Sequence, residues 1–247
     1  FRTRRKVSCC AWRASQDAMS EQPRLFEFRM GERSPDTLVV TEANRDAAHL
    51  LTQWRSWPTG ALALIGPEGS GKTHLALAWA LEMGARQLAP NASSDEAAAL
   101  FRDADRRLVI DDADGPRDEG MLWRLLDLAR TEGGAVLLTG AEPPSRWQVQ
   151  TPDLASRLKS LAVARLQEPD QVLMEVVLRR ICREQFIYLS DDAARYLALR
   201  LPRTVEAAHQ AVAALDADLV KGAKPVALKA AKAALEKVQA ARGGGDG

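Results

Sequence analysis

The chain has 247 residues, 46% hydrophobic and 27% charged, the composition of a folded protein with room for one generous domain or a core with a small satellite. Its formal net charge of +1 gives no global field that would draw it to nucleic acid, so any such binding needs a local patch. Three cysteines exclude a disulfide framework and suit a reducing, cytoplasmic setting, and the longest apolar runs are strand-sized, far short of the ~18 residues of a membrane span.

Residues 1–20 hold Arg2, Arg4, Arg5, Lys6 and Arg13 without the apolar stretch of a secretory signal. They are expected to be a disordered basic leader, with Met19 the natural start. Residues 21–30 carry the short peptide Gln22-Pro-Arg-Leu25-Phe26-Glu-Phe28. Residues 31–167 then alternate between strands and helices. Ala61–Ile65 is an apolar run feeding a Gly-rich turn and reads as a buried strand. A helix is predicted over Lys72–Met83, stopped by Gly84. Gln87–Ala89 reads as a short strand, and a helix follows from Ser93 or Ser94 to about Ala104. Leu108–Ile110 is a strand ending in Asp111-Asp112. Glu119–Thr131 places Met121, Leu122, Leu125, Leu126 and Leu128 on a helix face. Ala135–Leu138 is a strand, Thr151–Leu161 a helix and Ala162–Leu166 a fifth strand. Strands spaced by helices predict an α/β fold, a five-stranded parallel sheet covered on both faces.

From 168 to 240 the strand signals stop and a small all-α unit is expected. Asp170–Gln185 puts Leu173, Val177 and Ile181 on one stripe with Met174, Leu178 and Cys182 beside it, which makes Cys182 a core residue. Ser190–Leu201, Arg203–Val220 and Pro225–Val238 are the further helices, and residues 241–247 form a flexible Gly-rich tail.

Two motifs carry chemistry. Gly66-Pro67-Glu68-Gly69-Ser70-Gly71-Lys72-Thr73 fits G-x-x-x-x-G-K-[ST] between a predicted strand and a predicted helix. The glycines let backbone N–H groups turn toward phosphate oxygens, the helix N-terminus adds positive partial charge, Lys72 reaches the outer phosphates and Thr73 offers a hydroxyl to Mg²⁺. The chain is therefore expected to bind ADP or ATP. The second motif is the strand end Leu108-Val-Ile-Asp111-Asp112, 39 residues after Lys72. Asp111 would hold Mg²⁺, directly or through water, and Asp112 would orient or polarise an attacking water. Asp114 reads as a turn residue.

Together these motifs resemble the AAA+ class of P-loop ATPases, an α/β base followed by a helical lid. Gly71-Lys72-Thr73-His74-Leu75 with the Asp-Asp strand end resembles the DnaA-related branch, and helicase loaders share it. Thr151-Pro-Asp-Leu-Ala-Ser-Arg157-Leu158, after Leu138-Thr-Gly140 and Pro143-Pro144, resembles the Hda-type regulatory inactivators of DnaA. The resemblance implies that His74 adjoins the nucleotide, and that Arg157 is an arginine finger projecting into a neighbouring subunit's nucleotide. It implies that Arg203 is the sensor-2 arginine contacting this chain's own nucleotide. Without it, Arg157 is a surface arginine on an amphipathic helix and Arg203 a cation at a helix start, where cations are disfavoured.

It further implies that Gln22, Leu25, Phe26 and Phe28 form a peptide for the bacterial sliding clamp, Leu25 and Phe26 filling an apolar pocket. Without it, these residues pack on their own domain. One departure stands out: relatives carry a polar sensor-1 residue where this chain has Thr139-Gly140-Ala141, with Thr139 or Glu142 as substitutes. The expected function is nucleotide-dependent regulation of replication initiation. The chain would bind the sliding clamp, associate with itself and with DnaA, and stimulate hydrolysis of DnaA-bound ATP; direct sequence-specific DNA binding and membrane attachment are not expected. A DNA-stimulated ATPase acting as helicase loader or transposition helper is the alternative.

Overall fold

A computed structural model describes residues 40–218 and 226–243; the leader, the peptide around Leu25 and Phe26 and the last four residues lie outside them. Five parallel strands form one sheet in the order β2-β3-β4-β1-β5. They are β1 (Ala61–Ile65), β2 (Arg86–Gln87), β3 (Arg107–Ile110), β4 (Ala135–Gly140) and β5 (Ala162–Arg165). The central strand β1 is buried along its whole length, as its unbroken apolar sequence requires. It runs beside β4 from Ala61–Val136 to Ile65–Gly140 and beside β5 from Leu62–Ala162 to Ile65–Arg165.

Alternation along the strands feeds two cores. Leu62, Leu64, Val109 and Leu137 face α1 (Arg45–Thr52) and α2 (Lys72–Met83), packing with Leu51, Trp57, Leu75 and Trp79. Trp57 and Trp79 stack at 5.5 Å, and their ring N–H groups donate to the carbonyls of Leu50 and Leu51 at 2.9 and 3.1 Å, which ties α1 to α2. Leu108, Ile110, Val136 and Leu138 face α3 (Ser94–Asp103), α4 (Glu119–Thr131) and α5 (Pro152–Lys159), meeting Phe101, Leu122, Leu125, Leu154 and Leu158.

Most boundaries follow caps written in the sequence. Ser93 and Glu96 close a reciprocal capping box at α3, and Asp118 accepts from the N–H groups of Gly120 and Met121 at α4. Gly84, in the left-handed region at φ +67°, ends α2. The remaining helices, α6 (Gln171–Glu184), α7 (Asp191–Arg200), α8 (Val205–Asp218) and α9 (Leu228–Gly243), share a core of their own around Leu178, Leu197, Val212 and Leu235.

Several expectations need correcting. The helix α1 is an addition to the expected elements, with Ala47, Ala48 and Leu51 buried at helical spacing. The strand β2 is Arg86–Gln87 rather than Gln87–Ala89, and β4 continues two residues to Gly140 because the Gly66 N–H donates to its carbonyl. In α6 the inward stripe is Met174, Leu178, Ile181 and Cys182; Leu173 and Val177 are only half-buried beside it. Helix α8 starts at Val205, not Arg203, because the Thr204 hydroxyl accepts from the Ala207 N–H at 3.2 Å and so caps it. Helix α9 starts at Leu228, past Pro225. Among the described residues no helix is long and apolar enough to cross a membrane.

Candidate functional site

The turn from β1 into α2 is shaped by its glycines. A side chain at Gly66 would stand 2.7 Å from the Leu166 carbonyl oxygen, so only glycine fits against β5. Gly69 and Gly71 lie at φ +73° and +92°, where other residues are strained. This path leads the chain into α2 with the first-turn N–H groups unpartnered within the helix. Lys72 Nζ donates to the carbonyls of Gly66 at 2.9 Å and Pro67 at 3.0 Å, which holds the ammonium across the mouth of the loop. Pro67 and Glu68 form its exposed outer turn, whereas Ser70 is buried and its hydroxyl finds no partner among the described residues. An unpartnered buried hydroxyl, open helix N–H groups and a lysine bound only to carbonyls are the donors that a polyphosphate needs.

The carboxylates join this loop from β3. Asp111 Oδ1 accepts from Thr73 Oγ1 at 3.2 Å and from Thr139 Oγ1 at 2.6 Å, which brings Thr73 and Asp111 together as expected. Thr139 is fully buried on β4, and its hydroxyl also accepts from the Asp112 N–H at 2.8 Å. One hydroxyl thus fixes both residues of the Asp-Asp step. Asp112 is exposed and takes a left-handed φ of +48°. Asp114 turns back to accept from the Ala141 N–H at 2.6 Å, the turn role expected of it. Glu142 pairs with Arg146 at 3.1 Å and stays outside the site, so of the two substitutes weighed for the departure at Gly140-Ala141 only Thr139 enters it. Arg117, unremarked in the sequence, donates to the Asp111 carbonyl oxygen. Among the described residues no cluster of three or more His, Cys, Asp or Glu side chains could hold a metal by itself. A Mg²⁺ held by Thr73 and Asp111 would need oxygens from the phosphates as well.

The helical unit closes on the loop at two points. The Val205 N–H donates to the Gly69 carbonyl at 3.2 Å, and a side chain at Gly69 would stand 2.6 Å from Thr204 Cβ. Arg203, exposed and just ahead of the capping Thr204, makes no hydrogen bond or ion pair among the described residues. The second point is His74, whose Nε2 lies 3.0 Å from Arg180 Nη1 on α6. Arginine only donates, so Nε2 is the acceptor and the imidazole is neutral. The residue keeps solvent contact, yet its crowded surroundings and then Arg180 lower its pKa to about 4, against an opposing pull from Glu184. His74, expected beside the nucleotide, has its Nε2 occupied by the helical unit.

Arg157 lies elsewhere. On α5 it pairs with Asp127 of α4 at 3.0 Å and sits 4.8 Å above the ring of Trp123. Two residues beyond Asp127, Ala129 adjoins Gly60 at the entry to β1, the end of the sheet opposite the phosphate loop. The structure therefore does not bring Arg157 to the carboxylates and loop of its own chain. Thr139 is one of the two substitutes that the sequence offers for the departure at Gly140-Ala141, whereas nothing in the motifs marks Asp127 or Trp123.

No family model matches the sequence. The replication factor C large subunit of Staphylothermus marinus is 30% identical over 185 residues, covering 66% of this chain and 42% of that protein. The chromosomal replication initiator DnaA of Campylobacter jejuni is 25% identical over 194 residues, covering 70% of this chain and 44% of that protein. The chain thus spans about two fifths of the length of the curated relatives it matches. Domain III of Thermotoga maritima DnaA superposes with a TM-score of 0.63 at 18% identity, covering 81% of this chain and 94% of that structure. The chain has the P-loop AAA+ fold and is related to the replication proteins DnaA and replication factor C.

Proposed function

We propose that the protein binds ADP or ATP with Mg²⁺ and regulates replication initiation as an Hda-type factor, docking on the sliding clamp and stimulating hydrolysis of DnaA-bound ATP. The base (31–167) would hold the nucleotide and the lid (168–240) would cover it. Gly66, Gly69, Ser70, Gly71 and Lys72 would cradle the phosphates, with Thr73 and Asp111 on the cation. Asp112, exposed and set by the Thr139 hydroxyl, would orient water. Arg203, beside the Thr204–Gly69 contact, would reach the same nucleotide.

The observation that carries the regulatory part is the placement of Arg157. It stands at the end of the sheet away from its own phosphate loop and keeps a quarter of its side chain exposed. That position supports a planar guanidinium serving a phosphate brought by another subunit rather than its own. Supplied in trans, such a group accelerates phosphoryl transfer by ~10³–10⁵. Gln22, Leu25, Phe26 and Phe28, outside the described residues, supply the clamp peptide in this reading, so that clamp loaded on DNA becomes the signal.

The test follows the fate of ATP already bound to DnaA, with this protein and clamp-loaded DNA. Stimulation that needs the clamp and is lost in Leu25→Ala/Phe26→Ala, with nucleotide binding intact, is the expected result. DNA-stimulated turnover by this chain alone, indifferent to clamp and to that double substitution, would replace the regulator with the loader-type ATPase.

A further inference from the structure

Around Arg157 the structure arranges three groups that the phosphate-loop chemistry does not use. Asp127 Oδ1 accepts from Nη2 of Arg157 at 3.0 Å and from Nη2 of Arg130 at 3.0 Å, so one carboxylate oxygen serves two guanidinium groups. Trp123, one turn earlier on α4, lies under the Arg157 guanidinium at 4.8 Å. The other N–H groups of Arg157 have no partner among the described residues.

We infer that Asp127 is the positioning residue of Arg157: with Trp123 beneath and Arg130 beside it, it holds the guanidinium oriented for capture by a phosphate of a second nucleotide-bound subunit. This rests on the trans role of Arg157 given above. The cluster carries two positive charges and one negative, a surplus that favours an incoming polyphosphate. Holding one edge of the fork against Asp127 and its face on Trp123 removes most of the freedom of a long side chain before the partner arrives. Release leaves no orphaned charge, because Arg130, one turn along the same helix, stays bound to the same oxygen. Arg130 is also the largest influence holding the Asp127 carboxyl below its ordinary range, ahead of Arg157, so the anion persists when Arg157 departs. Both side chains of the Arg157–Asp127 pair are a quarter or more exposed, and such pairs contribute little to folding. A change at Asp127 should therefore act on Arg157 rather than on the fold.

The experiment uses the full chain with clamp-loaded DNA and DnaA carrying bound ATP, and compares Asp127→Asn, Asp127→Glu, Arg157→Ala and the Asp127→Asn/Arg157→Ala pair. Asp127→Asn should lower stimulation about tenfold and Asp127→Glu restore it to within about threefold, the scale on which misplacing a reacting group costs rate. Asp127→Asn should add nothing in the Arg157→Ala background, and every variant should bind nucleotide like wild type. Full or increased stimulation in Asp127→Asn, with Arg157→Ala inactive, overturns the positioning role and leaves the trans arginine standing. An Arg157→Ala variant as active as wild type overturns both.

Discussion

Two ends of one sheet behave differently. At the carboxyl ends of β1, β3 and β4, the phosphate site is tied together by groups of the same chain: Lys72 to the loop carbonyls, Thr73 and Thr139 to Asp111, and Gly69 to Thr204 and Val205. At the opposite end Arg157 lies against Asp127 and Trp123 of its own α4, and its other N–H groups have no partner among the described residues. The first arrangement is self-contained and needs only a nucleotide to complete it. The second gains its use from something outside the chain. A site that folding completes and a site that assembly completes can thus share one domain, and they should fail independently.

The largest separation should come from Lys72→Ala, which removes the ammonium held across the loop. Nucleotide affinity should fall about 100-fold or more, the cost of deleting a preorganised donor to phosphate charge, while circular dichroism stays native. Titration with a fluorescent ADP analogue reads it directly. Next comes Thr139→Val, which strips the Asp111 carboxylate of the shorter of its two hydroxyl hydrogen bonds and leaves the Asp112 N–H without its partner. It should cost ~1–3 kcal/mol at the site, and we expect about a tenfold loss of Mg²⁺-dependent affinity, measured by calorimetry with and without the cation.

Gly69→Ala tests the joint between sheet and helices. Its side chain would stand 2.6 Å from Thr204 Cβ at a φ of +73°, so the helical unit must shift or the loop must bend. Strain of ~1–3 kcal/mol should lower Tm by roughly 2–4 °C per kcal/mol, read by scanning calorimetry.

The smallest effect concerns His74. Its pKa falls to about 4 in the folded chain, so from the ordinary value of 6.5 down to about 4 the unfolded chain binds the proton and the folded one does not. The stability held by neutral His74 is complete above pH 6.5 and is lost as pH falls through that window. Wild type should lose more stability on acidification than His74→Gln, shown by denaturant midpoints at pH 7 and pH 5. Equal slopes would mean that the folded surroundings of His74, its burial first and Arg180 second, do not hold the imidazole neutral.

The phosphate end was legible because its chemistry is local in sequence. The loop Gly66–Thr73 needs its glycines and lysine at fixed spacing, and the expected bounds of β1, α2 and α4 match those observed. The Asp-Asp step announced itself by ending an apolar strand. What stayed hidden depends on which strands become neighbours. Thr139 serves Asp111 only because β4 lies between β1 and β3, an order no single segment encodes. The partners of Arg157 lie on a helix whose amphipathic pattern located its buried face but not the polar residues flanking it. The start of α8 at Val205, two residues past the Arg203 that Pro202 suggests, depends on the Thr204 cap, and it is this cap that sets Thr204 against Gly69.

The most direct test of the division between the two ends is to measure two properties of Arg157→Ala side by side: affinity for its own nucleotide, and stimulation of hydrolysis of DnaA-bound ATP on clamp-loaded DNA. Wild-type affinity with stimulation abolished is the predicted result. A variant that loses its own nucleotide, or that stimulates as well as wild type, would contradict it.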